Sequence, residues 1–158
     1  MSIDFSLSPE LEEIRGRVRA FIDDEVLPAE KRIKDERLED TDRDAYIGEL
    51  IELRKKAHAA GIWLPHMPEE WGGMGLGHVE LAMVQAEAAK SYYGPWVFNC
   101  QAPDEGNMHT LLHWGTEEQK DKYLRALCDG MTWSCFAMTC LLYTSPSPRD
   151  ELADLGCR

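Results

Sequence analysis

Two histidines four residues apart, His109 and His113, have a spacing that could serve a metal ion. Residues at i and i+4 lie on one face of a helix, where two imidazoles can share a ligand. The residues between them lack the glutamate of a His-Glu-x-x-His motif, and the sequence offers no evident third ligand. We therefore expect no metal site at this pair.

A glycine-rich segment, 68–77, could instead cradle a phosphate; it reads Pro-Glu-Glu-Trp-Gly-Gly-Met-Gly-Leu-Gly. It lacks the Lys-Ser/Thr of a P-loop and does not follow a predicted strand. Its glycines permit backbone conformations that other residues avoid, so we expect a structural turn. The sequence shows no Ser/His/Asp order, no Cys/His pairing and no isolated pair of carboxylates, and its motifs predict no catalytic residue.

The elements that would position these residues are helices. Ser8 and Pro9 are typical of a helix start, and apolar residues then recur at helical spacing as far as Val26. Pro28 is expected to end this first helix. Further helices are predicted at about 42–60, 78–90, 103–113 and 116–128.

The last predicted helix begins with a capping box, in which Thr116 and Gln119 exchange hydrogen bonds. The apolar run at 132–139 has the composition of a strand. We predict an all-α fold, a bundle of about five helices that ends in one strand. Residues 1–131 would form a helical domain, and 132–139 would begin a β-rich second domain that this chain does not contain.

The composition makes several classes of function improbable. The chain has 158 residues and a net charge of −12, and an acidic protein repels the phosphates of nucleic acids. No apolar run approaches the roughly 20 residues that a membrane-spanning helix needs, and no signal peptide is visible. The cysteines before residue 140 show no paired spacing, which suits a reducing compartment; they are Cys100, Cys128 and Cys135.

Three segments together resemble one protein family. Besides 68–77, they are Gly-Thr-Glu-Glu-Gln-Lys-Asp-Lys-Tyr-Leu at 115–124 and Cys-Phe-Ala-Met-Thr at 135–139. In this order and at these separations, they make residues 1–139 similar to the N-terminal helical domain of the acyl-CoA dehydrogenase family. The segments 102–108 and 134–139 look most like the branch that acts on longer or unusual acyl chains.

The resemblance implies an FAD-dependent enzyme with helical, β and helical domains, assembled as a homo-tetramer or dimer. It would oxidise an acyl-CoA thioester and pass the electrons to electron-transferring flavoprotein. The location would be the cytoplasm of a bacterium, or mitochondria or peroxisomes of a eukaryote. The family's catalytic glutamate lies in the absent C-terminal domain, so we expect no catalytic residue here and an inactive fragment. The implied flavin-contacting residues are Phe136, Ala137, Met138 and Thr139, and the implied acyl-pocket residues are Phe98, Asn99 and Ala102.

From Cys140 onward the chain resembles a different kind of sequence. Residues 140–150 are similar to one reading frame of a transposon adapter used to make sequencing libraries. The family motif would continue after Thr139 with Glu-Pro, which Cys140 and Leu141 replace. We therefore expect 140–158 to be a non-native tail and exclude it from the fold.

Two other functions remain open at this point. An acyl-CoA oxidase or a flavin monooxygenase of the same fold would differ in letting oxygen reach the flavin, which residues 1–139 do not distinguish. A helical binding module without enzyme activity is the other alternative. The apolar strand predicted at 132–139 argues against a module, because an unpaired strand edge favours aggregation.

Overall fold

The computed structural model describes residues 7–130 and 132–136, and these confirm the all-α prediction. Two π-helical turns, Ile22–Val26 and Lys120–Leu124, join α1 to α2 and α8 to α9. No helix in the described ranges is long and apolar enough to cross a membrane. The helices are α1 (Pro9–Phe21), α2 (Leu27–Glu36), α3 (Leu38–Thr41), α4 (Arg43–Ala59), α5 (His78–Ala88), α6 (Gly94–Val97), α7 (Asp104–Trp114), α8 (Glu117–Gln119) and α9 (Arg125–Cys128).

The first helical stretch begins as predicted but continues past Pro28. Ser8 caps α1, because its hydroxyl accepts a hydrogen bond from the Leu11 amide at 3.2 Å. At the π-helical turn, the Leu27 amide donates to the Ile22 carbonyl, five residues back. This wider turn places Pro28 in the first turn of α2, where a proline loses no intrahelical bond. The prediction that Pro28 ends the helix was therefore wrong.

A single hydrophobic core lies between the helices. α1 packs against α5, and α4 packs against α6. The apolar face predicted for the first helix is buried at Leu11, Val18, Ile22 and Val26. Tyr123, by contrast, is half exposed. The largest fully buried side chains are those of Val18, Ile22, Val26, Ile33, Ile62, Leu64, Met67, Val84, Val97, Phe98, Met108 and Leu124.

The C-terminal end of the bundle matches the sequence in part. The predicted capping box forms, with the Thr116 hydroxyl accepting from the Gln119 amide at 3.2 Å and the Gln119 side chain accepting from the Thr116 amide at 2.9 Å. Residues 132–136 adopt no regular structure, so this part of the predicted strand does not form. A strand needs a hydrogen-bonded neighbour, and the described residues supply none. The rest of the predicted strand and the adapter-like tail lie outside the described residues.

The glycine-rich loop is a turn closed by its own backbone. The amides of Gly73 and Gly75 donate to the carbonyls of Pro68 and Met67, at 3.1 and 2.8 Å. Amides that a phosphate cradle would aim at a ligand are therefore engaged within the loop. At Gly73 the chain also passes so close to itself that a Cβ atom would lie 2.0 Å from the Met67 carbonyl oxygen.

We expect Gly73→Ala to lower the free energy of unfolding by about 1–3 kcal/mol or more, because backbone atoms must move to admit the methyl group. Gly16→Ala is the matched control, since Gly16 is exposed in α1 and a Cβ there meets no atom within 4 Å. It should stabilise the protein by about 0.5–1 kcal/mol, because alanine loses less entropy in a helix. Urea unfolding measures both changes, and equal stabilities would contradict the close approach at Gly73.

Candidate functional site

The exit segment, defined as Thr132–Phe136, is the described part of the chain that leads into the predicted flavin-contacting residues. Phe136 lies at its end, and its side chain is 65% exposed. The other three predicted cofactor residues, Ala137, Met138 and Thr139, lie outside the described residues. Their role as flavin contacts stays a prediction, and the described contacts concern the exit segment that precedes them.

A buried carboxylate binds the exit segment to the first turn of α7. Asp104 is 2% exposed, and its Oδ1 accepts from the Ser134 amide at 2.6 Å and from the Ser134 hydroxyl at 2.5 Å. Its Oδ2 accepts from the Gln101 side chain at 3.0 Å. Asn107, one turn further along α7, donates to the Ser134 hydroxyl at 2.8 Å. Hydrogen bonds to a charged acceptor are stronger than neutral ones, so Ser134 is firmly held.

Aromatic rings join the exit segment to a buried arginine. The centroids of the Trp133 and Trp96 rings lie 5.9 Å apart. The Cζ atom of Arg54 lies 4.3 Å from the ring centroid of Trp96 and 5.0 Å from that of Trp63. Arg54 is buried, and its guanidinium has no hydrogen-bond acceptor among the described residues. Burial lowers the pKa of Arg54 to about 10, while attraction to Asp104 opposes this. Arg54 thus keeps its charge at neutral pH and interacts with the rings.

A mostly apolar cleft of about 510 Å³ opens beside the exit segment. Residues of α7 form one wall, and Lys120–Leu124 and α9 form the other. The half-exposed ring of Tyr123 belongs to this cleft, which explains why it does not point into the core. The cleft has the size and character of a small-molecule site. Its lining residues include Leu111, Tyr123, Ala126, Leu127 and Trp133.

The three predicted acyl-pocket residues occupy different environments. Phe98 is fully buried, with its ring 5.7 Å from that of Phe21. Asn99 is buried in a left-handed conformation (φ 57°) and donates to the Leu127 carbonyl at 2.9 Å. Ala102 is exposed and lies two residues before the start of α7. Phe98 and Asn99 are therefore engaged within the domain, and contact of all three with substrate stays a prediction.

A third histidine lies beside the pair considered for a metal. The His66 ring, in the loop before the glycines, is 5.2 Å from the His109 ring, and His109 stacks on His113 at 6.2 Å. No cluster of three or more potential metal ligands occurs in the ranges that the structure covers. His66 is buried without a hydrogen-bond partner among these residues. Burial, together with the nearby His109, lowers its pKa to about 4.

Sequence reasoning did not identify Asp104, Ser134 or Arg54. An aspartate in the first turn of a helix is ordinary in any sequence, because it favours the positive end of the helix dipole. Ser134 follows Asp104 by 30 residues, and no local pattern links the two. For Arg54 alone the sequence offered a signal, because this residue falls among the apolar positions of a predicted helix. A charge at such a position requires a compensating environment.

The sequence and the fold both match known proteins. The profile of the family described as "Acyl-CoA dehydrogenase, N-terminal domain" matches residues 8–131. Acyl-CoA dehydrogenase family member 11 of Homo sapiens is 37% identical over 131 residues, which cover 81% of this chain and 16% of that protein. A probable acyl-CoA dehydrogenase, FadE2, of Mycobacterium tuberculosis is 34% identical over 138 residues, covering 87% of this chain and 33% of that protein.

A solved structure shares the fold. A putative acyl-CoA dehydrogenase from Mycobacterium abscessus superposes with a TM-score of 0.76 at 37% identity, over 85% of this chain and 35% of that one. The chain thus spans about a sixth of the length of the human relative and about a third of the two mycobacterial proteins. The similarity extends over the helical domain, and at 37% identity it concerns more than the fold.

Proposed function

Because this chain belongs to the acyl-CoA dehydrogenase family and carries its N-terminal domain, we propose that it is part of an FAD-dependent enzyme that oxidises acyl-CoA thioesters between Cα and Cβ. Residues 1–131 would be the helical domain, and the exit segment would lead into the middle β-domain. The catalytic base would lie in a later domain, so this chain alone would be inactive.

The observation that carries the proposal is the held exit segment. Ser134 is bound to Asp104 only two residues before Phe136, whose exposed ring is available to pack against a planar group. An exposed aromatic ring at this place suits a flavin. Thr139 would supply a hydrogen bond to the pyrimidine edge of that flavin, and Ala137 and Met138 would line it. When bound, FAD would supply the hydride acceptor of the reaction.

The substrate and partners follow from the family. We propose an acyl-CoA with a longer or unusual acyl chain, whose pocket would include Phe98, Asn99 and Ala102. Ala102 is the accessible member of these three, so it is the one that substrate could reach without a rearrangement. Electron-transferring flavoprotein would take the electrons, and the whole enzyme would assemble as a tetramer or dimer. The location would be a bacterial cytoplasm, or mitochondria or peroxisomes.

The proposal predicts that FAD binds when the natural coding sequence continues past Thr139, and that Thr139→Val then weakens binding. Valine keeps the shape of threonine but removes the hydroxyl, which leaves a buried flavin atom without a partner. Such a loss costs about 1–3 kcal/mol, or roughly tenfold to a hundredfold in affinity. FAD titration of the two continued proteins, with circular dichroism as a check on folding, measures the change.

The 158-residue chain is the matched negative control, and it should bind no FAD and show no turnover with any acyl-CoA. If the protein whose coding sequence continues past Thr139 also binds no FAD, the family's chemistry does not apply. A helical binding module then becomes the better interpretation. Equal affinities of wild type and Thr139→Val would remove Thr139 from the site. Rapid reaction of the reduced protein with oxygen would identify an oxidase or monooxygenase instead of a dehydrogenase.

A further inference from the structure

We propose that Asp104 is a positioning residue, whose buried carboxylate sets where the exit segment leaves the helical domain and therefore where Phe136 meets the cofactor. The second half of this statement rests on the proposed function, whereas the first concerns the described residues alone. Nothing in the sequence motifs points to Asp104.

Ser134 is held in both place and orientation. One oxygen of Asp104 binds the backbone amide and the hydroxyl of this residue, and Asn107 binds the same hydroxyl from the next turn of α7. The backbone and the side chain are thus both tied to one rigid helix. Two residues of chain span at most about 7 Å, so Phe136 must lie within that distance of Ser134.

Both oxygens of the Asp104 carboxylate are engaged in this place. A buried carboxylate is costly unless its oxygens are paired, and both oxygens of Asp104 accept hydrogen bonds. The charge of Arg54, which has no acceptor of its own among the described residues, acts on the same carboxylate. Asparagine at position 104 would keep one acceptor oxygen but lose the charge and the second acceptor, so the bonds from Ser134 and Gln101 could not both persist in their present geometry.

The exit segment has a second anchor in the contact of Trp133 with Trp96. Loss of the carboxylate should therefore loosen the segment locally without detaching it from the domain. This separates a positioning role from a general structural one, because the helices on the far side of the core should not respond.

The test is amide hydrogen exchange in the 158-residue chain carrying Asp104→Asn. We expect exchange at Ser134 to become at least about tenfold faster, with no change at the amides of α1 and α2, which lie away from Asp104. Asp121→Asn is the matched control: it removes the same charge from an exposed residue that pairs with Arg125 and makes no hydrogen bond to the exit segment in the described structure. It should leave exchange at Ser134 unchanged. Unaltered exchange at Ser134 in Asp104→Asn would overturn the proposal.

Ser134→Ala is the second variant and covers the case in which Asp104→Asn does not fold. It keeps the hydrogen bond from the backbone amide to Asp104 but removes both hydrogen bonds of the hydroxyl. After correction for intrinsic rates, exchange at residue 134 should rise by a few-fold, less than in Asp104→Asn. Protection from exchange equal to that of wild type would show that the hydroxyl does not help to hold the segment. It would overturn the inference that Ser134 is held through both its backbone and its side chain.

FAD titration of the continued protein tests the link to the cofactor. Asp104→Asn should weaken FAD binding by about tenfold, and Asp121→Asn should not. If wild type binds no FAD, the proposed function fails while the exchange experiment still decides the role of Asp104. If wild type binds FAD, and Asp104→Asn speeds exchange at Ser134 without changing the affinity, the held segment does not position the flavin contact and the inference fails.

Discussion

Phe98→Ala should lower the free energy of unfolding by about 3–5 kcal/mol, the range for removing a buried aromatic ring. The Phe98 side chain is fully buried, and its ring lies 5.7 Å from that of Phe21. Its backbone carbonyl also accepts from the Leu64 amide at 3.1 Å, which keeps the residue in place so that the cavity would not easily collapse. Urea unfolding of wild type and variant, followed by circular dichroism, measures the loss.

Trp114→Ala is the matched control for this experiment. Trp114 ends α7, its side chain is 85% exposed, and its truncation should change stability by no more than about 0.5 kcal/mol. A variant Phe98→Ala within about 1 kcal/mol of wild type would show that the ring is not part of the core. It would then favour the sequence-based prediction that Phe98 lines a pocket open to substrate.

The helices were predictable because their signals are local. Ser8 before Pro9, and Thr116 three residues before Gln119, each specify a helix start through hydrogen bonds between near neighbours. The apolar face of the first helix follows from spacing alone. The error at Pro28 arose because a π-helical turn changes which carbonyl lies opposite the proline, and composition does not reveal such a turn.

The contacts around the exit segment were not predictable for the opposite reason. Asp104 meets Ser134 across 30 residues of sequence, and the ring contact of Trp96 with Trp133 spans 37 residues. Only the tertiary packing of the chain creates these pairs. The resemblance to a family predicts that cofactor-contacting residues begin at Phe136, but it does not reveal what holds that part of the chain.

The buried histidine is another product of tertiary packing, and it predicts a loss of stability in acid. The pKa of His66 is about 4 in the folded protein, below the ordinary value of 6.5. The unfolded chain therefore binds this proton first, and stability falls as the pH drops from about 6.5 towards 4. The loss attributable to His66 should be about 2 kcal/mol between pH 7 and 5, approaching about 3 kcal/mol near pH 4.

The buried carboxylate of Glu87 titrates in a separate range of pH. Hydrogen bonding from Arg19, at 2.5 Å, and from Lys90 lowers the pKa of Glu87 to about 2, from an ordinary 4.5. The stability that this carboxylate contributes is present above pH 4.5 and is lost as the pH falls towards 2. A change measured between pH 7 and 5 therefore reports His66 and not Glu87.

His66→Leu should remove most of this acid sensitivity, because leucine fills much of the same volume and binds no proton. His113→Gln is the matched control, because it removes an exposed histidine whose ring packs on His109. It should leave the slope of unfolding free energy against pH unchanged. His109→Gln should reduce the slope in part, since His109 is the nearby group that lowers the pKa of His66. Urea unfolding of wild type and the three variants at pH 7, 6 and 5 gives the slope of unfolding free energy against pH for each protein. If His66→Leu loses stability between pH 7 and 5 as steeply as wild type does, the buried imidazole is not the acid-sensitive group.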